Sequence, residues 1–484
     1  MAEERRGDRL RPTLLVISFT LLLLVGWLGP SAAQPDLGDR GWAPPQLPWS
    51  LNSMQTTIVL AVGYIVGALA LARGVAVATT GSLRWPAALG LGGLALLAAP
   101  YGTADHTNYA AYGQIALEGG DPWFERPALW QDGTDPVASE ANYPWRWTPS
   151  VYGPVAVQAF RLAAALGDDN LRQVVWVWQV MVVLAWLAVR ALLRRLVDDH
   201  HAVDLWWTLN PLVFGVAVLG AHVDILATVA VAVTVLLARN HPALAGVACG
   251  VAASTKITAG VVAVALVVAW IVLRRDRLPW RVARLAGTAG VIVVAAHLLA
   301  SPYTFARIKA ASSHISFATP WRLLIDAMGW DPESGWVGTW VSVGSAVVAI
   351  VLALMLWRLT DRAAPATVQG QTLRALFALM GAYILAAAYV LPWYDQLMWL
   401  ALPAFALRGE VRWWLPDALT ARALVLAVAY LPGRSRGMSE SVEALTVGFR
   451  SDVAPWLVLA LWVAIVVAFV RRISGEGLRP APAP

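Results

Sequence analysis

Residues 257–273 read ITAGVVAVALVVAWIVL, carry no charge, and run directly into Arg274-Arg275-Asp276-Arg277. A bilayer core takes about 20 apolar residues as one helix, so this stretch with its arginine stop reads as a membrane span. About fourteen runs of this kind follow one another, near 13–29, 52–72, 85–100, 171–193, 204–220, 223–238, 242–256, 257–273, 285–302, 336–357, 371–391, 393–407, 415–431 and 454–470. The 484 residues are 58% hydrophobic and only 14% charged, whereas a soluble domain carries roughly 25% charge. The expected fold is therefore an all-α polytopic membrane protein, a bundle of about 12–14 transmembrane helices with outer-face loops and short surface helices. It is expected to form one domain over 1–484, with accessory helices in 1–84, a core in 85–407, accessory helices in 408–470 and a disordered tail in 471–484.

Orientation follows from the bias of Lys and Arg toward cytoplasmic connections. Arg5, Arg6, Arg9 and Arg11 place the N-terminus inside. Fourteen crossings then bring Arg73 and Arg84, Arg194 and Arg195, Arg239, the 274–284 cluster, Arg358 and Arg362, Arg408 and Arg412, and Arg471 and Arg472 to the same side. Residues 13–28 followed by Ser31-Ala32-Ala33 also match a cleaved signal peptide, and both readings leave the later topology unchanged. Cys249 is the only cysteine, which excludes an intramolecular disulfide. The net charge is +6 without a basic, aromatic-laced block, which gives no support to nucleic-acid binding.

Two polar stretches fall outside, 101–170 and 303–335. Within the first, the apolar segment after Tyr152-Gly153-Pro154 is expected to lie on or dip into the outer surface. Asp105 follows closely on a membrane run. A carboxylate held there can act as a general base toward a hydroxyl, or simply cap a helix over 106–117. Asp121-Pro122 reads as a turn or helix start, its carboxylate a second candidate. Trp123, Trp130, Tyr143, Trp145 and Trp147 among acidic and amide residues suit a sugar site, and equally an interfacial aromatic belt.

Ionisable groups beside membrane helices are costly and point to function. Gly220-Ala221-His222-Val223-Asp224 lies at an outer connection, and Lys256, one of two lysines with Lys309, at an outer join. Lys256 can neutralise a lipid-linked phosphate, while His222 can donate to that phosphate or pair with Asp224. A His–Asp or Lys–Asp pair that only fixes packing is the alternative. Arginines on the outer face run against the inside bias, and a guanidinium fork suits phosphate. Arg322 and Arg434 or Arg436 are the candidates, with Leu391-Pro392-Trp393-Tyr394-Asp395 as a further outer element. No Walker loop, dinucleotide fingerprint or zinc-spaced His/Cys cluster occurs.

Asp105, Tyr109, Gly-x-Asp-Pro-aromatic at 119–123, Tyr152-Gly153-Pro154, Asn210-Pro211, Gly-Ala-His-x-Asp at 220–224 and Ala-Gly-x-x-x-Gly before Lys256 together resemble the GT-C superfamily of polytopic glycosyltransferases. Within it the chain is most similar to actinobacterial polyprenol-phosphate-mannose-dependent alpha-1,6-mannosyltransferases of lipomannan assembly. Trp123, Val151 and Val223 depart from the usual residues of these motifs. The resemblance implies inverting transfer from a polyprenyl-phosphate sugar donor to a glycan or glycolipid acceptor on the outer face of a bacterial plasma membrane. Asp105 would be the base. Tyr109, Asp121, Tyr152, His222, Asp224, Lys256, Trp393, Tyr394, Arg322 and Arg434 would bind substrate, with no cofactor and no obligatory metal. A transporter or flippase, the rival class, would string charges through several helices or show a repeat between halves; neither is evident.

Overall fold

The computed structural model describes residues 9–77, 82–143, 145–311, 314–405, 414–433 and 437–474. Arg5, Arg6, Arg408, Arg412, Arg434, Arg436 and the tail after 474 lie outside the described residues. Among the described residues the regular structure is helical throughout. Six helices are long and apolar enough to cross a membrane: Leu10–Trp27, Ser53–Ala76, Leu171–Leu196, Leu278–Ala300, Gly335–Leu359 and Glu440–Ile473. Shorter apolar helices, among them Trp85–Leu96, Asp224–Leu237, Pro242–Thr255 and Ile257–Val272, stand between them.

Several apolar runs are not continuous helices, and proline chemistry explains where they break. In the 204–220 run, the Asn210 carboxamide oxygen accepts from the amides of Leu212 and Val213 and starts a new turn at Pro211. Proline has no N–H for the preceding turn, so the helix restarts there. The 393–407 run is reduced to Gln396–Ala401 between tight turns at Pro392–Asp395 and Leu402–Ala404. The Pro154–Gly167 helix presents Leu162 and Leu166 outward but buries Ala156, Val157, Phe160 and Ala163 between Asp105–Leu117 and Leu171–Leu196.

One cluster of buried apolar side chains extends from Leu15 to Ile465. The outer faces are as apolar as this core. Val291, Val294, Leu298 and Leu299 on one long helix, and Val343, Val347, Ile350 and Leu354 on another, are exposed. Contiguous apolar surface of this extent is rare on a water-soluble protein and is what a lipid solvent selects.

The two ends of the bundle differ. At one end the fully buried Arg190 donates to Asp204 at 3.0 Å and to the Leu83 carbonyl at 2.6 Å, and Arg472 reaches the Leu359 carbonyl. Trp178 lies twelve residues earlier than Arg190 on the same helix, about 18 Å away at 1.5 Å per residue. Its indole donates to the Ala221 carbonyl, which places His222 toward the opposite end.

Close helix approach near that end depends on Gly113, where an added Cβ would run into the Phe160 carbonyl. Gly113→Ala is expected to cost about 1–3 kcal/mol through overpacking, read as a lower unfolding temperature in detergent. Gly90→Ala, which meets nothing within 4 Å inside the Trp85–Leu96 helix, serves as the control, expected to leave the unfolding temperature unchanged or slightly raised because Ala favours the helix over Gly.

Candidate active site

Asp105 is the first residue of the Asp105–Leu117 helix and is not its cap. Its amide is satisfied by the Thr103 hydroxyl at 2.8 Å, so its carboxylate is not spent on the helix end. One turn on, the Tyr109 hydroxyl donates to the Asp105 carboxylate at 3.4 Å and receives the Tyr152 hydroxyl at 3.4 Å. This is the neighbour relation of helix positions i and i+4.

His222 approaches the same carboxylate oxygen, with Nδ1 at 3.7 Å. Its position is set by Ala221, whose φ of +52° is a left-handed conformation that costs a non-glycine residue roughly 1–3 kcal/mol. The indole of Trp178 donating to the Ala221 carbonyl at 2.7 Å holds that turn. The imidazole stacks on Trp393 with ring centres 3.8 Å apart and planes within 12°. Neither ring nitrogen has a hydrogen-bond partner.

Lys256 occupies an extended break, φ −146° and ψ 121°, after the Pro242–Thr255 helix. Its ammonium contacts the Asp224 carboxylate at 2.5 Å and lies 3.9 Å from the centre of the Tyr394 ring. The partners therefore sort as Asp105 with His222 and Asp224 with Lys256. The break is pressed against the Tyr152 loop, where a Cβ on Gly153 would strike the Ser254 carbonyl and the Gly153 amide donates to Thr255.

These groups border a cavity of about 890 Å³, into which Asp105, Tyr152, Lys256, Trp393 and Tyr394 face. Tyr109 and His222 stand behind that wall, and Asp224 lines a small adjoining pocket with Lys256. Arg307, His314, Tyr389 and Arg450 also line the cavity, and one wall consists of Ser342, Ser345, Ala346 and Ala349 from the Gly335–Leu359 helix. Arg307 donates to the Trp123 carbonyl, and Arg450 to the Ala429 carbonyl while stacking on Tyr430.

Two sequence candidates lie elsewhere. The Asp121 carboxylate accepts from the Ser301 hydroxyl at 2.6 Å and the Trp123 amide at 2.9 Å, fastening the loop. Arg322 pairs with Asp326 on its own short helix at 3.0 Å and does not line the cavity. Arg434 is outside the described residues. Arg450 was overlooked by sequence reasoning, although an arginine just before the last apolar run, on the side expected to face outward, was the available signal.

Burial dominates the electrostatics of Asp105, which is 9% exposed. Desolvation raises its pKa to about 6, opposed by the Thr103 hydrogen bond and the Lys256 ammonium. Burial first, and then Lys256, hold the His222 imidazole well below its usual pKa, so it is neutral at pH 7. The arrangement thus offers a carboxylate able to exchange a proton near neutrality, with fixed cations a short distance away. Among the described residues no group of three or more His, Cys, Asp or Glu side chains comes together as metal ligands.

The family model described as alpha-(1->6)-mannopyranosyltransferase, N-terminal domain, matches residues 15–272, more than half of the chain. Alpha-(1->6)-mannopyranosyltransferase A of Corynebacterium glutamicum is 29% identical over 173 residues. That match covers 34% of this chain and 34% of the relative's length. No solved structure matches. By the extent of the family match, the chain belongs to the alpha-(1->6)-mannopyranosyltransferase family.

Proposed function

We propose that this protein is a membrane mannosyltransferase that moves mannose from a polyprenyl monophosphate donor to a glycan or glycolipid acceptor, with inversion, on the extracytoplasmic face of a bacterial plasma membrane. The observation that carries the reading is the convergence of Asp105 and Lys256 at one cavity, with His222 standing behind Asp105, where the cavity also reaches the lipid-facing Gly335–Leu359 helix. A donor with a polar sugar phosphate and a long isoprenoid tail needs such a junction of polar site and apolar wall.

In this reading Asp105 takes the proton of the acceptor hydroxyl as its oxygen attacks the anomeric carbon. The bond from that carbon to the phosphate oxygen breaks, and polyprenyl phosphate leaves with the electron pair. Developing negative charge on the phosphate is met by preorganised cations, for which Lys256, Arg307 and Arg450 are the cavity-lining groups. Asp224 is engaged by Lys256, which favours a single displacement through Asp105 over a covalent intermediate on a second carboxylate. Aromatic faces at Tyr152, Trp393 and Tyr394 would stack on sugar rings. Outward orientation is supported by the arginine-bearing helix ends, which gather away from the site, as the positive-inside bias requires.

Asp105→Asn keeps the side-chain shape and removes the base. It is expected to lower transfer from polyprenyl-phosphate mannose about 10²–10⁴-fold without loss of expression, and near-normal turnover would sink the assignment. The pH profile gives a second check. A carboxyl raised to about 6 is protonated below that pH and ionised above it, so kcat/KM should rise through pH 6 and level off by pH 7–8. A limb near pH 4, the ordinary carboxylate range, would contradict Asp105 as base.

A further inference from the structure

Among the described residues, the Arg422–Asp395 pair is the most completely enclosed ion pair near the cavity-lining aromatics. Arg422 is 4% and Asp395 1% exposed. One guanidinium nitrogen donates to both carboxylate oxygens at 2.7 Å, and another to the Ile384 carbonyl at 2.7 Å. Packing alone does not explain such a pair. Taking two charges out of water is expensive, and apolar side chains of similar volume often stabilise a core as well or better. What a guanidinium–carboxylate contact adds is direction, because both groups are planar and bind in fixed geometry.

The direction is spent on the Pro392–Asp395 turn. Asp395 is its last residue, and the two before it are Trp393, stacked on His222, and Tyr394, beneath the Lys256 ammonium. Arg422 belongs to the Trp414–Ala429 helix, far beyond residues 15–272 matched by the family model. We propose that Arg422 is a positioning residue for the transfer centre: through Asp395 it holds Trp393 and Tyr394, and through them the placement of His222 and Lys256 around Asp105. It touches no reacting atom. The inference rests on the reading of that centre as the site of transfer.

The test uses the full-length protein in detergent or membranes, assayed with polyprenyl-phosphate mannose and a mannoside acceptor. Arg422→Ala leaves Asp395 as a lone buried charge and risks misfolding, so the deciding variant is Arg422→Met with Asp395→Leu, which replaces the pair by apolar groups. It is expected to be monodisperse and to unfold near the wild-type temperature, while kcat falls about 10²-fold, the scale of a misplacement of about 1 Å, with a smaller change in donor KM. Arg422→Ala should regain part of its activity on addition of guanidinium, saturably, and Asp105→Asn should not. A folded double variant with wild-type kcat overturns the positioning role, as does loss of activity in Arg422→Ala that tracks unfolding alone and is not rescued. A wild-type protein that transfers no sugar would instead overturn the functional reading itself.

Discussion

The contact between the Lys256 ammonium and the Asp224 carboxylate, 2.5 Å apart, is the constraint around which the site is arranged. A lone charge at either position would cost several kcal/mol to hold away from water, so each residue dictates the place of the other. Asp224 is fixed at the start of the Asp224–Leu237 helix. Lys256 can reach it only because the chain is extended between two helices at that point. The same break brings the Ser254-Thr255 carbonyls against Gly153, and through Tyr152 and Tyr109 the contact extends to Asp105.

The cavity has two sources. Asp105, Tyr152 and Lys256 come from the stretch that matches the family model, and they carry the ionisable chemistry. Trp393, Tyr394, Arg307, Arg450 and the Ser342–Ala349 wall come from beyond it, and they supply aromatic surface, additional cations and the apolar border. The proposed chemical centre thus draws on the first part of the chain, while much of the remaining cavity wall is assembled from later segments. Buried guanidinium pairs join Arg190 to Asp204 and Arg422 to Asp395, and of these two only the latter adjoins the cavity-lining aromatics.

Much of the architecture was legible from local pattern. Long apolar runs, flanked by arginines, identify helices whose solvent is lipid, and Asn210-Pro211, Pro392 and Pro403 are visible interruptions once read as helix starts. The grouping of His222, Asp224 and Lys256 near Asp105 was also suggested by the side of the membrane to which each connection was assigned. A Lys–Asp pair was among the readings, but that His222 would leave Asp224 for Asp105 was not. Asp224 is two residues from His222, yet the helix turns it toward Lys256, while the left-handed Ala221 turns His222 toward Asp105.

The choice among outer arginines was equally hidden. Arg322, Arg307 and Arg450 share a charge and an expected side of the membrane, but an aspartate one turn away claims Arg322, and the other two face the cavity. Sequence by itself determined the membrane class, the helical fold and the residue types available for chemistry, because hydropathy, charge bias and proline geometry act over a few neighbouring residues. Tertiary structure alone decided which carboxylate lacks a cation, which imidazole stands beside it and which guanidinium reaches the cavity. Those outcomes depend on distances between segments far apart in the chain, such as Asp105 and His222, and burial then raises the proton affinity of Asp105.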